Sequence, residues 1–294
     1  MRLDDIEESK NVEDRRSSRG GFGGSIGGGM SIGRIMMLWP IIRMLLRTKF
    51  GWAILAIGAF FYFGGFNPLS SARGGGSKVT ADDEKKAVFI KKVLATTESV
   101  WSNLLPKYGI RYTKPELVLY RGHTTSGCGF ASAQMGPFYC PSDKKVYLDL
   151  GFFDELARRH NSPGDFAQAY VLAHEIGHHV QDLQGTLDKV QQIQHRWGGS
   201  SKRANALQVR VELQADCYAG VWANHAQKQF GVLEPGDIEE ALRAASSIGD
   251  DTLQKQSQGY VVPDSFTHGS SKQRVEWFYR GLKSGDLRSC NTFN

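Results

Sequence analysis

The segment Tyr170-Val-Leu-Ala-His174-Glu175-Ile-Gly-His178-His179-Val180 constrains this 294-residue chain more than any other. His174 and His178 are four residues apart, so on an α-helix both imidazoles project from one face and can share a tetrahedral metal ion. Glu175 follows the first histidine, where its carboxylate reaches a water on that metal without ligating the metal itself. The apolar residues on the N-terminal side point to a buried helix. A catalytic zinc site needs three protein ligands and one open position, so the fold must bring a further ligand to this face.

The spacing of apolar residues predicts a long helix over Lys202–Phe230, and Glu212-Leu-Gln-Ala-Asp216 lies within it. Glu212 and Asp216 share a face at i and i+4. Glu212 is the natural third ligand. Asp216 then accepts the N–H of a liganding histidine and fixes its tautomer. Val209, Val211, Leu213, Ala215 and Cys217 read as buried neighbours, which argues against a merely solvated acidic face. His195 and His225 are rival ligands, but the first lies in a polar connection and the second in a Gln-rich stretch. His179 projects about 100° around the helix from His178 and reads as a supporting or surface group. Gly177 reads as a point of close packing, whereas His123 and His160 have no partner at metal-ligand spacing.

Upstream, apolar residues at Val88, Phe89, Val93, Leu94, Val100, Trp101, Leu104 and Leu105 predict an amphipathic helix within Ala81–Lys107. Leu117–Tyr120 predicts a strand. Pro137–Cys140 and Val146–Leu150, flanking Pro141–Lys145, predict a β-hairpin. Helices are expected at Phe166–Gln184, Lys202–Phe230, Gly236–Ile248 and Ser271–Lys283. Strands early and helices late give an α+β domain over 81–294. Cys128, Cys140, Cys217 and Cys290 all fall in it. Four cysteines allow three pairings; Cys128–Cys140 would pin the hairpin to the preceding loop, leaving Cys217–Cys290 to tie the chain end to the long helix. Reduced, buried thiols are the alternative. No C-x-x-C pair supports a zinc cluster.

The charge is unevenly placed. The chain carries +6 overall, but residues 15–49 hold seven basic side chains and no acid, and everything beyond Lys49 nets +3. That near-neutral remainder argues against nucleic acid as a partner. Phe50–Leu69 is free of charge and, at about 20 residues, long enough to cross a bilayer as a helix. Arg43, Arg47 and Lys49 flank its start, so the positive-inside rule predicts a cytoplasmic N-terminus. The expected organisation is a flexible, Gly-rich cytoplasmic leader over 1–49, a single transmembrane helix over 50–69, a linker over 70–80, and an extracytoplasmic domain over 81–294. A cleaved signal peptide ending at Ser70-Ser71-Ala72 is the weaker alternative to an uncleaved anchor.

His174-Glu175-x-x-His178 with Glu212-x-x-x-Asp216 resembles the gluzincin metallopeptidases. More closely, residues from about 83 to 294 resemble the putative neutral zinc metallopeptidase family of bacterial membrane proteins. The matching segments include Tyr120-Arg-Gly122, Gly127-Cys-Gly129, Met135–Pro141, Ala173–His179, Glu212–Cys217 and Pro263–Gly269. The resemblance implies a zincin-like domain in the bacterial inner membrane with its catalytic part periplasmic, one Zn²⁺, and polypeptide substrates. Thr267-His268-Gly-Ser-Ser-Lys-Gln-Arg274 is similar to a T-H-P-x-x-x-x-R stretch of membrane-associated gluzincins, with Gly269 in place of proline. It implies that His268 stabilises the oxyanion and that Arg274 holds Asp216 or the surrounding loop. The expected mechanism has Glu175 moving the proton of a zinc-activated water, with strand Val146–Leu150 pairing to an extended peptide. The competing function is a zinc-binding scaffold or peptide-binding module without turnover.

Overall fold

The computed structural model describes residues 1–17, 79–159, 164–199 and 201–293. The first expected helix runs as α1, Ala81–Leu104. Thr80 caps it: its hydroxyl accepts from the Asp83 N–H, and the Asp83 carboxylate accepts from the Thr80 N–H. Two of the donors that a helix start leaves unpaired are thereby satisfied. The face bearing Ile90, Leu94 and Trp101 is fully buried. Pro106 sits in the first turn of a short 3₁₀ segment, Leu105–Tyr108, which ends the element at Gly109.

Four strands make one sheet in the order β1 (Val12–Asp14), β2 (Glu116–Tyr120), β6 (Lys145–Asp149) and β5 (Phe138–Cys140). β1, β2 and β6 are parallel, whereas β5 is antiparallel to β6 with Phe138 opposite Tyr147. Leu117–Tyr120 and Val146–Asp149 are buried throughout, as expected where helices cover a parallel sheet. The anticipated hairpin is therefore present, but its second strand is not an edge. β6 is hydrogen-bonded on both sides, so the expectation that it pairs with a peptide is corrected; among the described residues the edges of this sheet are β1 and β5. A separate hairpin, β3 (His123–Ser126) and β4 (Gly129–Ser132), precedes it.

The rest is helical: α2 (Gly151–Arg159), α3 (Asp165–Leu183), α4 (Thr186–Arg196), α5 (Lys202–Phe230), α6 (Asp237–Ser247), α7 (Asp250–Gln258) and α8 (Ser271–Ser284). The long α5 packs against both α3 and α8. Its backbone meets that of α8 directly, because a Cβ on Gly220 would lie 2.0 Å from the Phe278 carbonyl oxygen and one on Gly281 1.9 Å from that of Cys217. Gly177 does the same for α3: a Cβ there would lie 2.9 Å from the Ala215 carbonyl oxygen. That close approach brings the His174–His178 face of α3 against the Glu212–Asp216 face of α5. The disulfides are Cys128–Cys140, which ties the β3–β4 turn to β5, and Cys217–Cys290, which ties the C-terminal segment to α5.

The membrane topology expected from the sequence is overturned. Met1–Arg16 and Val79–Asn294 form one folded unit. Val12 pairs with Leu117, and the Arg15 N–H donates to the Leu119 carbonyl at 2.7 Å. Arg16 is buried between Asp14, Glu84 and the Asp83 carbonyl. The Met1 ammonium reaches Asp165, Glu234 and Asp237 at 2.8–3.3 Å. A hydrocarbon core about 30 Å thick cannot separate two strands of one sheet. A cytoplasmic N-terminus with the domain on the far side of an inner membrane is thus incompatible with this packing. Nor is the preceding transmembrane helix supported: among the described residues no helix is long and apolar enough to cross a membrane. The segment assigned to that helix, 50–69, lies outside the described residues.

Candidate metal centre

α3 and α5 bring His174, His178 and Glu212 together, with one ligand-capable atom from each lying within 4.8 Å of the others. His174 Nε2 is 3.2 Å and His178 Nε2 3.5 Å from Glu212 Oε2. Ligands about 2.0–2.1 Å from a tetrahedral zinc lie about 3.3–3.4 Å apart. The spacing fits.

The hydrogen bonds behind the ligands settle which atoms are free. Asp216 Oδ1 lies 2.9 Å from His174 Nδ1. The Asp216 carboxylate is held ionised and can only accept, so His174 Nδ1 carries the hydrogen and its Nε2 presents a lone pair. On His178, Gln181 Oε1 lies 2.9 Å from Nδ1. The orientation of that amide is fixed from behind, since Gln181 Nε2 donates to the Val211 carbonyl at 2.7 Å and to Gln214 Oε1 at 3.0 Å. His178 Nε2 is therefore also a lone-pair donor. Two imidazole lone pairs and a carboxylate oxygen converge in a buried site, an arrangement that demands a cation between them. The cation is either a metal or a proton. Despite burial, Asp216 and Glu212 push the His174 pKa up to about 10, while the two histidines outweigh burial and hold Glu212 well below the carboxylate range.

Asp216 is itself tightly held. Burial would raise its pKa, but Arg274 and His174 bring it down to about 2. Arg274 donates through Nε to Asp216 Oδ2 and through Nη2 to Oδ1, each at 2.9 Å. The Tyr170 hydroxyl donates to the same Oδ1 and accepts from Arg274 Nη2 at 3.2 Å. Arg274 thus meets Asp216 directly, and Tyr170 was not anticipated.

Glu175 is buried beside the cluster without joining it, and burial raises its pKa while His174 and His178 oppose the rise. The Tyr139 backbone N–H of β5 faces its carboxylate. His179 is no surface group. It is buried, its Nε2–H donates to the Thr113 carbonyl at 2.6 Å, and its Nδ1 lies 3.0 Å from the Tyr139 hydroxyl, which donates to Asp182. It braces α3 against β5.

His268 lines the same cleft of about 1020 Å³ as Glu175, His174 and His178. Asp250, at the start of α7, holds it: Oδ2 accepts from the N–H groups of Thr267, His268 and Gly269 at 2.6–3.0 Å, and Oδ1 lies 3.2 Å from His268 Nδ1. The rival ligands are elsewhere. His225 Nε2 bonds the Gly285 carbonyl at the end of α8, His195 is exposed, and His123 stacks on Phe130. His160 lies outside the described residues. Residues missed from the sequence mostly carried a spacing signal: Tyr170 is four before His174, Gln181 three after His178 and Gln208 four before Glu212, so each shares a face with a ligand. Asp250 carried none.

A family model described as "Putative neutral zinc metallopeptidase" matches residues 1–293. The uncharacterized protein YpfJ of Escherichia coli K12 is 47% identical over 294 residues, covering 100% of this chain and 99% of that protein. An uncharacterized protein of Mycobacterium tuberculosis strain H37Rv is 46% identical over 216 residues, 69% of this chain and 70% of its own length. No solved structure matches. With residues 1–293 matched by that family model, the chain belongs to the putative neutral zinc metallopeptidase family.

Proposed function

We propose that the protein is a zinc-dependent endopeptidase acting on extended polypeptides. One observation carries the reading: three ligand-capable atoms within 4.8 Å of one another converge beside a buried carboxylate, Glu175, that is left out of the cluster and lines an open cleft. A purely structural zinc site is closed by four protein ligands. Here His174, His178 and Glu212 supply three.

Zinc, when bound, would supply the Lewis acidity that activates water and polarises a peptide carbonyl at neutral pH. Glu175 accepts the proton of the attacking water and returns it to the leaving amine. His268, held by Asp250 on the cleft wall, donates to the oxygen on which negative charge develops. Asp216 keeps His174 in the ligating tautomer, and Gln181 does so for His178. The free edge of β5 borders the cleft through Pro137, Phe138 and Tyr139 and offers main-chain groups to an extended chain.

The test is cleavage of a reduced, unfolded protein by the zinc-loaded enzyme and by Glu175→Gln. The variant should bind zinc normally and lose about 10²–10⁴-fold in rate. Equal rates for the two would refute the role of Glu175. Zinc binding without turnover by the wild type would favour the scaffold reading.

A further inference from the structure

We propose that Gln208, itself oriented by Gln194, is a positioning residue that holds Glu212 as a one-oxygen metal ligand and so keeps coordination space open on the cleft side. The inference rests on the zinc reading above. Glu212 turns Oε2 toward both histidines, and its other oxygen is occupied: Gln208 Nε2 donates to Glu212 Oε1 at 3.0 Å. Gln208 lies one helical turn before Glu212 on α5, so the two side chains share a face.

An amide can be read either way round, but here the neighbouring groups decide. Gln194 Nε2 lies 3.1 Å from the Ala204 carbonyl, a group that only accepts. That atom must therefore be the nitrogen. The same nitrogen lies 3.2 Å from Gln208 Oε1, so the Gln208 oxygen faces Gln194 and its N–H₂ faces Glu212. Direction runs from a backbone carbonyl through two amides to the metal-ligand carboxylate, and it joins α4 to α5 at the cleft wall.

The consequence follows from carboxylate chemistry. A carboxylate with both oxygens free can bind a metal through either or both. Drawing Oε1 into a hydrogen bond makes two-oxygen binding cost that bond, while Oε2 stays aimed at the point shared with His174 and His178. A site meant to take water and a substrate oxygen gains from a ligand that occupies one position instead of two. Gln208 touches neither substrate nor metal in this scheme.

Gln208→Met keeps the volume and removes the donor; Gln194→Met leaves the Gln208 donor in place and removes its orienting contact, along with the bond to the Ala204 carbonyl. The readouts are zinc affinity by chelator competition and the visible absorption of the cobalt-substituted protein, which weakens as coordination number rises. Melting of the metal-free proteins checks folding, which the half-buried Gln208 should not threaten. Gln208→Met is expected to lose about 10–100-fold in zinc affinity and to show weaker cobalt bands. Gln194→Met should move both in the same direction by less. A folded Gln208→Met protein with wild-type affinity and an unchanged cobalt spectrum would overturn the inference. A wild type that binds no zinc would instead defeat the metal reading itself.

Discussion

Replacing Arg274 by methionine tests how the centre is built, because it removes one charge from a fully buried pair. Arg274 and Asp216 are almost inaccessible, and two charge-assisted hydrogen bonds join them. At about 1.5–3 kcal/mol each, these bonds give about 3–6 kcal/mol. The range of about 3–5 kcal/mol for breaking a buried pair agrees, since most of the loss is the charge left behind. In a folded unit of this size about 2–4 °C of Tm accompanies each kcal/mol, so metal-free Arg274→Met should melt roughly 6–20 °C lower. The loss should shrink in the double variant with Asp216→Asn, where no carboxylate remains uncompensated. Asp216→Asn alone should weaken zinc binding about 10–100-fold, because His174 loses its tautomer lock. Thermal denaturation of the four metal-free proteins reads the first effect and chelator competition the second. A single Arg274→Met variant melting with the wild type, or a double variant losing the full sum of the single effects, would refute the coupling.

Further perturbations probe other parts of the frame. Gly177→Ala places a Cβ 2.9 Å from the Ala215 carbonyl oxygen; it should cost about 1–3 kcal/mol and lower zinc affinity by separating α3 from α5, as melting and chelator competition will show. The Cys217–Cys290 bridge closes a 73-residue separation and Cys128–Cys140 one of 12, so serine replacement should cost about 4 and about 3 kcal/mol respectively on chain entropy, a ranking that denaturant melts can check. For His268, the Asp250 hydrogen bond raises the pKa against burial, Glu212 adds to the rise and Arg274 opposes it. A pKa raised by folding stabilises fully below the unfolded value of about 6.5 and less as pH climbs through the folded one. The Tm gap between metal-free wild type and His268→Gln should thus be widest near pH 6 and close toward pH 9, though modest because the side chain is 53% exposed.

The cluster of His174, His178 and Glu212 was readable in the sequence because each half is local: His174 with His178, and Glu212 with Asp216, are one helical turn apart, and a helix converts that spacing into a shared face. The long helices α3, α5 and α8 were readable for the same reason, through their apolar periodicity. What failed was non-local. β1 is three residues long and finds its partner about a hundred residues away, at Leu117–Leu119, so local charge alone makes the run around it look like a leader. The basic run over 15–49 begins with Arg15, which bonds Glu13 and the Thr125 carbonyl, and Arg16, which is buried in ion pairs. α2, α4 and α7 are short and polar, with few buried apolar positions to set a period. Asp250 gathers three backbone N–H groups from a loop on the far side of α7, a contact no spacing rule anticipates.

X-ray absorption at the zinc edge of the stoichiometrically loaded protein tests whether His174, His178 and Glu212 form an open zinc site. An open site of these residues gives one zinc per chain with two imidazole nitrogens and oxygen neighbours at about 2.0–2.2 Å, and loses one imidazole in His178→Ala. Sulfur in the coordination shell, or a shell unchanged by His178→Ala, would contradict it.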